Sequence, residues 1–354
     1  MKPNVIKSLL PFLILLLVVV PGCKKKKGPV VKDLALLKLI PEDATALFCI
    51  NVERLTVLEY YNEMIADVKK KMVEPSQGKI FAGYEEFVDK TGVDIERDIR
   101  AVAIALFSGA KADTPDESAG NALVLIDLDY KKSKILNVLK AKKAEKKIDY
   151  VEESYNDIKV VKIKNGSFPL FADKTIENPA FAFFKKHTIA VGNTGRIKQV
   201  IDLANSKGKS ILLCAEMESY LNTPEKTSMA SFALIVPENL KKKVKEGLYA
   251  YDLTKAEIVS GNIDQINGIW VGELKLVMKN EQANAQLASV LAFGKTVAGV
   301  TFGAEFSGMI DDIQVISSET GVKLTFSIQH NLLKKLFEKI EDASIDLPDF
   351  TGEK

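Results

Sequence analysis

The sequence predicts an α+β fold, with mostly antiparallel sheets and amphipathic helices on one face. Three observations predict it. Short β-rich runs alternate apolar and polar residues, as strands with one wet face do. Longer runs place apolar residues at three- and four-residue steps, as helices that bury one stripe do. Strand runs joined by short polar turns outnumber strand–helix–strand crossings, which favours antiparallel pairing. A β-rich run, a polar turn and an amphipathic helix recur together at Leu47 to Asp67, Leu123 to Leu139, Ile189 to Leu203, Phe232 to Val244 and Phe326 to Ile340. The irregular spacing does not suit a solenoid and suits a divergent internal duplication. The expected organisation is a first α+β half over 33–222, a second over 223–345 and a flexible acidic tail over 346–354.

Taken in order, Ala44 to Val52 alternates and is rich in β-formers, which predicts a strand. The helix after it runs to about Met72, with Leu55, Leu58, Ile65, Val68 and Met72 on one face. Pro75 to Gly78 is a loop. Tyr84 to Lys90 reads as a helix stopped by Thr91-Gly92, since glycine accepts the left-handed stop. Arg100 to Phe107 is a strand, Ala110 to Gly120 a polar loop, and Asn121 to Leu128 a strand leading into a Lys-rich helix over Tyr130 to Lys146. Val151 to Glu153 and Lys159 to Lys164 pair across Asn156-Asp157. Phe181 to Phe184 and Thr188 to Val191 form a hairpin around Lys185-Lys186-His187. Gly192 to Gly195 turns the chain into a helix carrying Ile197, Val200, Ile201 and Ala204 inward, ended by Lys207-Gly208. A short helix is expected near Glu216 to Leu221.

In the second half Ser231 to Val236 is a strand, and Pro237 opens a helix to about Lys245, proline being comfortable at a first helical position. Trp270 to Met278 is a strand and Glu281 to Ala298 an Ala- and Leu-rich helix. Ile313 to Ser317 and Val322 to Ile328 form a hairpin across Glu319-Thr320-Gly321. The last helix, Leu332 to Glu341, turns Leu332, Leu333, Leu336 and Ile340 inward.

The first 27 residues are of another kind. Lys2 and Lys7 precede an apolar run from Leu9 to Val20, broken by Pro11. That run is about half of the roughly 20 residues a spanning helix needs, so 1–22 is expected to be a cleaved signal peptide. Val20-Pro21-Gly22-Cys23 places small residues before a cysteine, and Lys24 to Lys27 follow within a polar tether over 23–32. This resembles the lipobox of bacterial lipoproteins. The resemblance implies lipidation at Cys23, with palmitate-type acyl chains as the membrane partner. It also implies a place in the bacterial envelope, at the periplasmic face of the outer membrane or on the cell surface.

Charge agrees with that division. The chain has 49 Lys and Arg against 47 Asp and Glu. Without Lys2 and Lys7 the signs balance, and without Lys24 to Lys27 the body is slightly acidic. No basic face is left for nucleic acid. Besides Cys23, Cys49 and Cys214 lie in apolar runs and read as buried thiols, with one disulfide as the alternative in an oxidising compartment.

Chemistry is sparse. His187 lies in a predicted turn and His330 at a strand-to-helix junction, and both read as turn or surface residues. No G-x-S-x-G, H-E-x-x-H or C-x-x-C occurs. Gly294-Lys295-Thr296 mimics the end of a phosphate loop but falls inside a helix, with Ser289 where the first glycine belongs. Gly192 to Arg196 opens a helix whose amides would suit an anion, although Asn193 or Thr194 serves more simply as its cap. Asp127/Asp129 sits where a strand gives way to a helix, answering the helix dipole, and Asp311/Asp312 lies beside a hairpin. The stripe Ala283, Leu287, Val290, Leu291 and Val297 reads as core first and lipid groove second.

The body also resembles an uncharacterised group of bacterial exported α+β proteins. The resemblance rests on Ile40-Pro41-Glu42-Asp43-Ala44, Phe87 to Asp98, Phe181 to Asp202 and Ser210 to Leu221. It implies an exported body with no catalytic, cofactor or metal residues to carry over. The expected function is therefore a non-enzymatic interaction or scaffold module at a bacterial membrane, with a protein partner. The alternative is a carrier of an apolar ligand such as a lipid.

Overall fold

The computed structural model describes residues 34–56, 58, 84–107, 122–145, 148–164, 167–171, 174–177, 179–184, 187–214, 217, 228–236, 255–302, 306–333 and 335. The expected signal, tether and tail lie outside these residues, as do most of the helix to Met72, both polar loops, the helix after Pro237 and most of the last helix. So does the short helix near Glu216, apart from Met217; what precedes it is a 3-10 turn over Ile211–Leu213. The described residues fall into two compact units, the first through Met217 and the second from Ser228.

The first unit comprises α1 (Leu34–Leu37), β1 (Ala46–Asn51), α2 (Val52–Leu55), α3 (Tyr84–Thr91), α4 (Ile95–Asp98), β2 (Ile99–Leu106), β3 (Ala122–Leu128) and α5 (Lys132–Ala144). It continues with β4 (Asp149–Tyr155), β5 (Ile158–Lys164), β6 (Ser167–Phe171), β7 (Lys174–Glu177), β8 (Ala180–Phe183), β9 (Thr188–Gly192) and α6 (Thr194–Ala204). Seven strands run in the order β1-β2-β3-β9-β8-β5-β4, every neighbour antiparallel. β6 and β7 pair separately. The α+β class and the antiparallel pairing are as the alternation predicts.

One face of this sheet carries Val124, Val191, Phe183 and Ile189, packed with Ile135, Leu136 and Leu139 of α5 and Phe87 of α3. Helices were expected on one face alone, and here the structure corrects that expectation. α6 covers the second face, where Ile197, Val200 and Ile201 are fully buried. The reason is side-chain size. Ala103 and Ala105 pair with Leu125 and Leu123, and Ala182 pairs with Ala190. Such small residues make a shallow apolar surface that still needs cover, and they let a helix approach closely. A Cβ at Gly192 would meet Arg196 Cβ of α6 at 3.5 Å.

The second unit comprises β10 (Ala230–Ile235), β11 (Ala256–Ile266), β12 (Ile269–Met278), α7 (Glu281–Phe302), α8 (Ser307–Asp311), β13 (Gln314–Ser318) and β14 (Gly321–Gln329). Its strands run β10-β11-β12-β14-β13, again antiparallel. The described helices here keep to one face. Ala283 and Leu287 of α7 pack on Val322, Met278 and Ala256. Phe306, Met309 and Ile310 pack on Ile328 and Leu332. Each unit follows the same path: a three-strand meander, a helix, then outer strands whose last member returns to the third strand. β9 returns to β3, and β14 to β12. The expected duplication reaches no further than this shared path.

Two glycines shape the second sheet. A Cβ on Gly272 would lie 2.2 Å from Phe326 Cζ, and one on Gly261 would lie 2.8 Å from Phe232 Cε1. Phe326 is the cross-strand partner of Gly272, and Phe232 of Gly261. Each ring therefore occupies the space its partner's side chain would take. β11 and β12 join through Asn267 and Gly268, with φ of 53° and 80°. Two successive positive φ values are the tight hairpin turn that asparagine-glycine favours.

Candidate functional site

Cys23 lies outside the described residues. Within them, the chemistry-bearing side chains gather at one end of the first unit, where β2, β3, the start of α5 and the β8–β9 turn converge. Arg100 Nη2 donates to Asp127 Oδ1 at 2.6 Å and Nε donates to Oδ2 at 3.3 Å. Arg100 Nη1 lies 3.0 Å from Asp129 Oδ2. The other Asp129 oxygen is 2.5 Å from His187 Nδ1. The Asp127 bond, and then the Asp129 bond, hold the Arg100 guanidinium proton more firmly than usual.

The surrounding backbone explains the convergence. Leu128 N–H donates to His187 O at 2.7 Å, and Asp129 N–H donates to Asp98 O at 2.8 Å. Tyr130 Oη donates to Phe184 O at 2.9 Å, closing the hairpin over its ring. His187 itself holds a φ of 89°, in the left-handed region. The aspartate pair was expected to answer the dipole of the following helix. The structure instead turns both carboxylates to Arg100, and Lys131, the N-cap of α5, makes no side-chain cap bond. A carboxylate in reach of a guanidinium gains a charge-assisted bond that a helix terminus offers only partly.

A histidine oriented by a carboxylate is one component of acid–base machinery. Here Asp129 is shared with Arg100, and no hydroxyl or thiol bonds the His187 ring among the described residues. The arrangement fastens the β8–β9 turn to the start of α5. Sequence reasoning passed over Arg100, although Asp127-x-Asp129 at a strand end marks a place where a cation could sit.

The other candidates fall elsewhere. His330 Nδ1 accepts from Trp270 Nε1 at 3.1 Å, and Trp270 is 0% exposed, so the tryptophan is core. Asn193 caps α6, its Oδ1 accepting from Arg196 N–H at 2.8 Å, as predicted. Replacing Asn193 by alanine is expected to cost about 1 kcal/mol, read as a lower midpoint in thermal unfolding followed by circular dichroism. Arg196 Nη1 reaches Asp43 Oδ2 at 2.7 Å, and its guanidinium stacks 3.5 Å over the Phe107 ring. Lys295 lies within α7, its Nζ donating to Asp311 O and Ile313 O, so the phosphate-loop mimic is helical as read. In the α7 stripe, Ala283 and Leu287 are buried in core, Val290 and Leu291 are half-buried, and the Val297 side chain lies outside the described residues. Asp311 and Asp312 are exposed at the end of α8. Cys49 and Cys214 remain thiols. Among the described residues no cluster of His, Cys, Asp or Glu suits a metal ion, and no helix is long and apolar enough to cross a membrane.

One carboxylate near this end is strongly held. Asp98 accepts from Arg97 Nε at 2.7 Å and from Asp94 N–H at 2.7 Å. The Arg97 bond, opposed by burial and assisted by Asp94, keeps its carboxyl below the usual range. A depressed pKa stabilises the fold above the unfolded value, about 3.9, and that contribution is lost as pH falls through the lower folded value. Urea unfolding is therefore expected to lose midpoint on acidification. Asp98→Asn should show a smaller loss over the same acid range.

No family model matches the sequence, and no curated protein matches it. Among solved structures, crystal form III of TP0453 superposes with a TM-score of 0.46 at 11% identity, covering 89% of this chain and 100% of that one. Crystal form I of TP0453 gives 0.44 at 9%, covering 86% and 96%. Crystal form IV gives 0.43 at 11%, covering 85% and 95%. The chain is thus similar to TP0453 over most of both lengths, at a level of superposition that assigns it neither family nor function.

Proposed function

We propose that this chain is a lipid-anchored protein of the bacterial cell envelope, and that its body is a non-enzymatic interaction or scaffold module. One observation carries the reading: Gly22-Cys23 closes a short apolar run and is followed at once by Lys24 to Lys27. An acyl chain contributes about 0.8 kcal/mol per buried methylene, so two or more chains on one cysteine give stable attachment. The adjacent lysines add attraction to anionic headgroups within about a Debye length. The non-enzymatic half of the proposal is supported by the Arg100, Asp127, Asp129 and His187 cluster, whose carboxylates are satisfied by one another's partners.

Metabolic labelling with palmitate tests the anchor. The native chain is expected to take up label and stay with the membrane pellet. Cys23→Ser is expected to do neither. Equal labelling of the two, or no labelling of the native chain, overturns the anchor. Cross-linking in intact membranes tests the module: a reproducible protein partner supports it, and co-purified lipid seen by native mass spectrometry, with no partner, supports a carrier instead.

A further inference from the structure

We propose that β13 is a self-pairing edge, through which two copies of this chain join their second-unit sheets antiparallel about a two-fold axis at Ile316. β13 is an outer strand of its five, paired on one side to β14. Among the described residues no strand pairs with its other side, which leaves those backbone groups a place for a further strand. The sequence Gln-Val-Ile-Ser-Ser has no charge and no proline. Natural edges are commonly guarded by such residues, and the outer strand of the first unit is guarded, since β4 carries Asp149, Glu152 and Glu153. Gln314, Ile316, Ser317 and Ser318 are exposed, Ile316 by 45%.

The edge is also held in shape. At one end Lys295 Nζ of α7 grips Asp311 O and Ile313 O. At the other, Asn284 Nδ2 of the same helix grips Ser318 O at 3.1 Å and Glu319 O at 3.0 Å. Five residues fixed at both ends lose little further freedom on pairing, which is what makes an edge receptive.

A second copy is the occupant that the strand itself specifies. Antiparallel pairing about Ile316 sets Ile316 against Ile316, Val315 against Ser317 and Gln314 against Ser318. No pair brings like charges together, and the central pair buries two exposed isoleucines against each other. The flanks oppose this slightly, because Asp311 and Asp312 come near Glu319 of the copy. Pairing should therefore strengthen as salt rises and screens these acids. A strand pair alone falls below the area of a standard stable interface, so the association is weak and concentration-dependent. It goes beyond the envelope reading and does not require it.

The test uses the full-length chain in detergent. Ile316→Cys is expected to give a disulfide-linked dimer under mild oxidation, because paired strands place these Cα atoms within bridging range, about 4.4–6.8 Å. Ser317→Cys, displaced from the axis, Val151→Cys, on the guarded edge, and the native chain are expected to give no disulfide-linked dimer. In sedimentation, Ile316→Lys should weaken association about tenfold or more by setting like charges face to face. Equal cross-linking at all three positions, no cross-linking at 316, or a dimer unaffected by Ile316→Lys overturns the proposal. Palmitate uptake is unaffected by any of these variants, so failure here leaves the anchor standing.

Discussion

Gly272→Ala is expected to lose about 3 kcal/mol of stability in the second unit, the upper part of the range for overpacking a filled site. The added methyl would lie 2.2 Å from Phe326 Cζ and 2.6 Å from Cε1, less than any real carbon pair tolerates. Phe326 sits between its same-face neighbours Leu324 and Ile328, which narrows the room the ring has to move. Urea unfolding checks the loss. The double variant Gly272→Ala with Phe326→Leu should recover part of it, because the smaller side chain vacates the contested space. A double-mutant cycle would then return a favourable coupling between the two substitutions. Additive effects would mean that the ring and the glycine do not compete.

Arg100→Met carries the second large effect, about 2 kcal/mol. It removes the bonds to Asp127 and the pairing with Asp129, and leaves two carboxylates two residues apart with His187 beside them. A fully buried pair broken this way loses more. Here the Arg100 and Asp127 side chains keep 24% and 20% exposure, so solvent recovers part. The first unit's unfolding midpoint should fall at neutral pH. Adding Asp127→Asn to Arg100→Met should restore some of it by removing one uncompensated charge. A stability unchanged by Arg100→Met would mean that the cluster is solvated decoration.

Much of the fold was legible in the residues because most strands here alternate. β2, β12 and the β13–β14 hairpin follow runs that the period of two marks out, while β3, β8 and β9 follow short apolar runs bounded by turns. β11 was not read, and the reason is physical. Its centre holds Gly261, Asn262 and Asp264, which look like a breaker and a turn. Phe232, from the neighbouring strand, supplies the apolar surface that the glycine lacks. That ring is 29 residues away in sequence, so no local window sees it. The Asn267-Gly268 turn was the available signal. β6 and β7 escaped for a related reason, since Pro169 interrupts the alternation.

The cluster was half legible. Asp127 and Asp129 stand out as a pair, but their partner Arg100 lies on another strand and His187 in another turn. Register brings them together, and register depends on the whole sheet. Three of the four segments on which the resemblance to exported proteins rests also meet in space. Pro41 bridges Ser210, and Asp43 takes Arg196. They are joined by folding, while the sequence shows them as separate words.

That last junction bears on how the chain is made. Ile40 O accepts from Ile211 N–H, and Glu42 N–H donates to Lys209 O. Residues near the start of the first unit thus wait for partners about to be synthesised last in that unit, 153 positions later for Asp43 and Arg196. Contacts so distant along the chain close slowly. These contacts therefore form only after this second segment has been synthesised, so the start of the first unit is completed late.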